Sequence, residues 1–258
     1  MVRVAIVQTP VLESPTETIE WACRAMTESD ARAELYILPE AWIHRAPIAD
    51  VAGAVEASEL AVSRLREVAR SLNGWVVAGA LYALVEGRPA ARVPVISPGG
   101  EVVGHQDKVH PYKEERLVLR RGMEFRTFEA AGVRFGILVC HDVVYPEAAR
   151  TLVLKGAELL LNPSRIRREG VEPWHVYLRA RALENRCQVV GCNVVLGSSF
   201  NGRSLAVDLV ELRGGVVLTR EEQAGEEPGV ISIELDPKRL EHLRAERLGN
   251  RLREAYEL

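Results

Sequence analysis

Cysteine is scarce in this chain. The four residues Cys23, Cys140, Cys187 and Cys192 in 258 positions are too few for a disulfide framework and lack paired metal-ligand spacing, so free thiols in a reducing cytoplasm are expected, and no zinc. No apolar run is long enough to cross a bilayer, and Met1-Val2-Arg3-Val4-Ala5-Ile6-Val7-Gln8 enters a strand-like run without a signal-peptide core or cleavage site. An excess of one charge is also missing. The 33 basic and 36 acidic residues are interspersed and leave a net charge of -3, which gives no footprint for nucleic acid or an anionic membrane and points to a small-molecule partner. Glycine loops of the Walker or dinucleotide type are absent, and neither His105 nor His110 belongs to a metal-ligand spacing. Asparagine and glutamine are sparse while arginine and glutamate are abundant, a composition that suits a heat-adapted source.

What the chain does contain is an α/β pattern that occurs twice. Val2-Arg3-Val4-Ala5-Ile6-Val7-Gln8-Thr9 resembles Val133-Arg134-Phe135-Gly136-Ile137-Leu138-Val139-Cys140, and each is followed by a helical segment. A strand closed by proline comes next, ending Leu38-Pro39-Glu40 in one half and Leu161-Asn162-Pro163-Ser164 in the other. The second helix of each half has an apolar face, at Leu65, Val68, Ala69 and Leu72 and at Trp174, Tyr177 and Leu178, where Arg181 is the exception. Strands from Trp75 to Leu81 and from Gln188 to Val195 follow, then hairpins at Gly99-Gly100 and Gly214-Gly215. The pattern predicts one domain over 1–258, with halves at about 1–130 and 131–235 and a charged helical tail over 236–258, in which Leu240, Leu243 and Tyr256 are scattered apolar positions. The tail either packs on a partner subunit or ends the chain in solvent. Two sheets with helices outside them bury both apolar faces of each sheet.

Cys140 ends a short β-branched run, and Pro146-Glu147 reads as the first turn of a helix shortly beyond it. A thiol near a helix N-terminus is expected to have a lowered pKa and a larger thiolate fraction, although buried free cysteine is also a common core filler. Cys23, Cys187 and Cys192 read as such fillers. Thiol chemistry at an acyl carbon needs a base, a cation or donor for the oxyanion, and a second deprotonation to bring in water. Three motifs carry such groups: Leu38-Pro39-Glu40-Ala41-Trp42, Gln106-Asp107-Lys108-Val109-His110-Pro111, and Cys140-His141-Asp142.

In this order, with Tyr145-Pro146-Glu147-Ala148-Ala149-Arg150, Leu161-Asn162-Pro163-Ser164, Arg181-Ala182-Leu183-Glu184-Asn185, Asn193 and Gly202-Arg203-Ser204 downstream, the motifs resemble the nitrilase (carbon-nitrogen hydrolase) superfamily over nearly the whole chain. The resemblance implies an α-β-β-α sandwich of two mixed sheets with internal pseudo-duplication, hydrolysing non-peptide C–N bonds without metal or organic cofactor, in a homodimer or larger assembly. Carried over by position, Glu40 is the general base, Lys108 the oxyanion-stabilising cation and Cys140 the nucleophile, with the His141 backbone N–H completing the oxyanion hole. Glu115 is the better match to a second glutamate, and Glu114 lies beside it.

Family members that hydrolyse nitriles tend to carry Trp-Glu after the cysteine, and amide hydrolysers an aromatic residue and Asp. Asp142 therefore favours amides or N-carbamoyl compounds, while His141 departs from the pattern; nitrile hydrolysis and an inactive scaffolding relative are the alternatives. Tyr112, Tyr145, Asn162, Ser164 and Arg165 are candidate substrate-binding residues. In the loop Arg165, Arg167 and Arg168, a guanidinium either clamps a substrate carboxylate or lies solvated. The chain also lacks a family-typical asparagine between Gly87 and Pro94, with Arg92 and Pro94 in the strand instead.

Overall fold

The computed structural model describes residues 1–46 and 50–256, without the side chains of Arg253 and Tyr256, so the apolar position assigned to Tyr256 lies outside the described residues. The first half runs β1 (Val2–Gln8), α1 (Pro15–Glu28), β2 (Leu35–Ile37), α2 (Val51–Leu72), β3 (Trp75–Val77), β4 (Leu81–Val85), β5 (Arg88–Ile96) and β6 (Val102–Asp107). After a one-turn helix α3 (Glu115–Val118), the second half runs β7 (Thr127–Ala130), β8 (Val133–Ile137), α4 (Pro146–Leu154), β9 (Leu159–Pro163), α5 (Val171–Asn185) and β10 (Gln188–Cys192). It ends with β11 (Val195–Leu196), β12 (Phe200–Asn201), β13 (Leu205–Glu211), β14 (Val217–Gln223), β15 (Gly229–Leu235) and α6 (Glu241–Gly249).

The pseudo-duplication is visible in the pairing. β1, β2 and β3 are parallel neighbours, as are β8, β9 and β10, and each trio continues into antiparallel strands. The repeat is offset from the 130/131 division, however. β7 is tied to β8 through the Ala131-Gly132 turn and belongs to the second sheet, while β15 leaves the second half and pairs antiparallel with β1, from Val2 opposite Leu235 to Gln8 opposite Gly229. The strands expected from Trp75 to Leu81 and from Gln188 to Val195 are each interrupted, at 78–80 and 193–194.

Alternation along the strands sends successive side chains to opposite faces, and in the central strands both faces are buried. Val4, Ile6, Leu35 and Ile37 of one sheet meet Phe135, Ile137, Leu159 and Leu161 of the other in the layer between the sheets. Ala5, Val7, Tyr36 and Val76 face α1 and α2, while Leu160, Val189, Leu205 and Val207 face α4 and α5. Each of these larger side chains contributes about 1.5–3 kcal/mol by leaving water. In the tail, Leu240 and Leu243 are buried against their own chain in the cluster under α5. Arg181, the exception on α5, is buried because its guanidinium donates to Val143 O and Val144 O, both at 2.8 Å, and to Glu184 Oε1 at 2.9 Å.

One close approach positions the strand end that carries Glu40. Gly79 has φ +71°, and a Cβ there would lie 1.9 Å from Pro39 O. Backbone atoms cannot yield as a flexible side chain does. Gly79→Ala is therefore expected to lower stability by about 2 kcal/mol or more, measurable by denaturant unfolding, and to reduce turnover more than a surface Gly→Ala such as Gly225→Ala.

Candidate active site

Glu40 and Cys140 occupy equivalent places, each three residues beyond the end of a parallel strand, β2 or β8. Both turns are tight. Ala41, which follows the glutamate, and Cys140 itself have φ of 46° and 45°, in the left-handed region that costs a non-glycine residue about 1–3 kcal/mol. Cys140 opens a 3-10 turn, Cys140–Val144, so the His141 N–H lies in a first turn whose donors have no intrahelical partner. Lys108 follows β6 directly, with its N–H on Ala91 O at 2.9 Å and its carbonyl accepting from Gly122 N at 2.7 Å. Beside it, the unexpected Arg92 holds Asp107 through two hydrogen bonds of 2.7 and 2.9 Å, closing the β5–β6 hairpin next to the lysine.

These turns converge. Lys108 Nζ lies 2.7 Å from Glu40 Oε1 and 2.7 Å from Glu115 Oε2, with only 1% of the lysine side chain exposed. Glu115 Oε2 also accepts from Tyr112 N at 2.7 Å, which identifies Glu115 rather than Glu114 as the second glutamate in contact with the lysine. Burial opposes the ammonium charge, but Glu40, Cys140 and Glu115 outweigh it and hold the Lys108 pKa well above its ordinary value. Burial, followed by Glu40, raises Glu115 despite the lysine.

The thiol behaves differently from the helix-dipole expectation. Burial first, then the Glu40 carboxylate, pushes Cys140 well above the ordinary thiol range, and Lys108 and the Arg165 backbone only partly offset them. α4 begins six residues further on, at Pro146, with the 3-10 turn intervening. These surroundings favour the protonated thiol over the thiolate at Cys140.

The site opens into a cavity of about 510 Å³ lined by Glu40, Lys108, Glu115, Cys140, His141, Tyr112 and Arg165 among others. A larger hollow of about 990 Å³ lies by α4, α5 and α6, and none of the convergent acid, base and thiol groups lines it. Among the described residues no three His, Cys, Asp or Glu side chains are grouped to hold a metal ion.

Several expected substrate contacts prove to be supports. Asn162 Nδ2 donates to Leu138 O and Cys140 O, at 2.5 and 3.2 Å, and its Oδ1 accepts from Trp174 Nε1 and Ser164 Oγ, at 2.7 and 2.8 Å; Asn162 and Ser164 thus hold the cysteine turn from behind. Tyr145 stacks on His110, with ring centroids 3.9 Å apart, and does not line the catalytic cavity. Arg165 lines it, but its guanidinium donates to Ala41 O, His44 O and Arg45 O at 2.6–2.8 Å, so it braces the glutamate turn and is not free for a clamp. Arg168 is paired with Glu226. Arg167, in contrast, lines the cavity with its guanidinium over Phe200 at 5.5 Å and has no ion pair or side-chain hydrogen bond among the described residues. Tyr82, Phe200 and Tyr177 also line the cavity; the sequence marked Tyr177 only as part of an apolar helix face and the other two not at all, since each reaches the cavity from an element remote from the three motifs.

With this geometry in place, comparison with known proteins is direct. The family model described as carbon-nitrogen hydrolase matches residues 3–245, and the chain belongs to that family. The 2-oxoglutaramate amidase of Bacillus subtilis is 29% identical over 229 residues, 86% of this chain and 85% of the relative. A nitrilase of Pyrococcus abyssi is 29% identical over 248 residues, 91% and 90% of the two chains. Among solved structures, the NitN amidase of Nesterenkonia sp. AN1 superposes with a TM-score of 0.82 at 25% identity, covering 99% of this chain and 98% of that one. A mutant of that amidase, with a TM-score of 0.79 at 25% identity over 97% of this chain and 99% of that one, shows Michael addition of acrylamide at its active-site cysteine.

Cys140 alkylation by iodoacetamide, followed by mass spectrometry of the peptide, is expected to accelerate continuously from pH 7 to beyond pH 9. A plateau near neutrality would mean a lowered thiol pKa and would contradict the site electrostatics described above.

Proposed function

We propose that this carbon-nitrogen hydrolase releases ammonia from a small linear amide through a thioester on Cys140. The observation that carries this reading is the buried Lys108 ammonium held 2.7 Å from each of two carboxylates on the wall that also presents the thiol. Glu40 accepts the thiol proton as Sγ attacks the amide carbon, and Lys108 Nζ with the His141 N–H stabilises the oxyanion. When the tetrahedral intermediate collapses, the C–N bond breaks, and Glu40 returns its proton to the departing nitrogen. Water then enters, loses a proton to Glu40 and attacks the thioester; the C–S bond breaks, the proton returns to sulfur, and the carboxylic acid leaves. Glu115 keeps Lys108 in place and takes no proton in this scheme.

The substrate side is read from the cavity wall. Arg167 is the lining cation whose guanidinium has no polar partner among the described residues, and a carboxylate at the far end of the substrate would meet it. The name of the B. subtilis relative, 2-oxoglutaramate amidase, supports an amide that carries such a carboxylate. The protein is further proposed to act in the cytoplasm as a single catalytic domain in a homo-oligomer. Free, buried thiols are in keeping with a reducing compartment, and no helix among the described residues is long and apolar enough to cross a membrane.

Ammonia release from neutral amides, ω-amides of dicarboxylates, N-carbamoyl amino acids and nitriles, each run beside Cys140→Ala, tests the reading. Release that vanishes in the variant is expected for the amides, whereas release from nitriles alone would move the protein to the nitrilase branch. Lys108→Ala is expected to remain folded and lose about 100-fold or more in kcat, on the order of 3 kcal/mol in the barrier. Arg167→Ala is expected to raise KM about tenfold for a carboxylate-bearing amide while changing a neutral amide of equal length less than about twofold. Equal changes for both would remove Arg167 from recognition.

A further inference from the structure

Lys108 and Cys140 come from different sheets, and their reaction needs them at a fixed separation. Lys108 follows β6 of the first sheet, and Cys140 follows β8 of the second. The residues next to them meet at one side chain. Asp142 is fully buried; its Oδ1 accepts from His110 N at 2.8 Å and lies 2.8 Å from His110 Nδ1, while its Oδ2 accepts from Val139 N at 3.0 Å and Val109 N at 3.4 Å. One carboxylate therefore joins the residue before the nucleophile to the two residues after the lysine.

A second link runs the other way. His141 Nδ1 lies 3.2 Å from His110 O, so the imidazole of one motif reaches back to the backbone of the other. The His110 ring is fixed between these bonds and Tyr145, on which it stacks. An ionised carboxylate only accepts hydrogen bonds, so His110 Nδ1 carries its proton toward Asp142. The pair thus has a single polarity, with every hydrogen bond at the carboxylate donated by the Lys108 loop or the Cys140 turn.

We infer that Asp142, with His110 as its partner, is a positioning residue for the proposed amide hydrolysis: it sets the Lys108 loop against the Cys140 turn and thereby the distance between ammonium and thiol. The inference rests on the amidase reading of the site. It assigns the second residue after the nucleophile a task distinct from substrate contact, since Asp142 does not line the catalytic cavity. It also gives a function to His110, whose ring nitrogen and backbone N–H both face Asp142.

Asp142→Asn tests this directly. The amide nitrogen would oppose at least one of the donors now satisfied at the carboxylate, and the loop and the turn would separate. The expected result is a folded protein with kcat reduced on the order of 100-fold and KM changed less than about threefold, the loss appropriate to a small misplacement of a reacting group. Cys140 alkylation separates positioning from general loosening. A loosened site would expose the thiol and speed alkylation, whereas displacement of the nearby cation is expected to slow it. In the Lys108→Ala background, Asp142→Asn is expected to add no further slowing, because its effect runs through the lysine.

His110→Phe keeps the stacking on Tyr145, removes only the ring donor, and is expected to lower kcat about tenfold. It decides the question should Asp142→Asn not fold. Unchanged kcat in either folded variant, or additive effects of Asp142→Asn and Lys108→Ala on alkylation, would overturn the inference. Retention of ammonia release by Cys140→Ala would instead overturn the amidase reading on which it rests.

Discussion

Removing the Lys108 ammonium from water costs several kcal/mol, and an interior with no opposite charge beside it could not hold it. Glu40 and Glu115 supply that charge from two sides, and the cluster they form has strict requirements. The lysine must follow β6, one glutamate must follow β2, and the other must sit at the start of α3. Each carboxylate depends on the lysine in turn: without Lys108 two carboxylates would face each other in the pocket, whereas loss of one glutamate leaves the lysine paired with the other. The same surroundings disfavour a thiolate, first because Cys140 is buried and then because the anion would face the Glu40 carboxylate. In the proposed mechanism attack and deprotonation are then linked: the carboxylate that discourages the thiolate at rest is the group that would take its proton.

Such a cluster needs a rigid frame, and much of that frame is the seam between the two sheets. Glu40 N donates to Ser164 O at 3.2 Å, Arg165 holds the carbonyls of Ala41, His44 and Arg45, and Asp142 gathers the loop after Lys108. In each case a residue following a strand of the second sheet is bonded to a turn of the first. The left-handed backbones of Ala41 and Cys140 lie inside this network, which can maintain conformations that an isolated turn would abandon. Precision at the site therefore comes from polar bonds across the seam, and bulk stability from the three apolar layers.

The layers were legible in the sequence because strand alternation and helix periodicity encode burial directly. The glycine pairs at 99–100 and 214–215 marked real hairpins, and Glu40, Lys108 and Cys140 could be ordered by their motifs. What remained hidden depends on contacts between residues far apart in the chain. Arg165 and Arg167 are alike as letters, yet one is engaged by three carbonyls and the other faces open cavity, a difference decided by where the Glu40 turn folds over them. The tail likewise read as a solvated or partner-facing segment because its sparse apolar spacing does not say which surface Leu240 and Leu243 will meet. The raised thiol pKa was missed for a related reason: a local helix terminus is visible in sequence, whereas burial and a glutamate 100 positions earlier are not.

The pairing of β15 with β1 joins residues 229–235 to residues 2–8, the last strand of the chain to the first. Until the late segment arrives, β1 presents an unpaired edge, and the first sheet lacks a boundary strand even though the rest of its sequence has already been made. The repeated halves are thus not independent folding modules. Closure of the sheet bearing Glu40 and Lys108 therefore depends on residues 229–235, which gives this pairing a high contact order and makes the floor of the cavity a joint product of both halves.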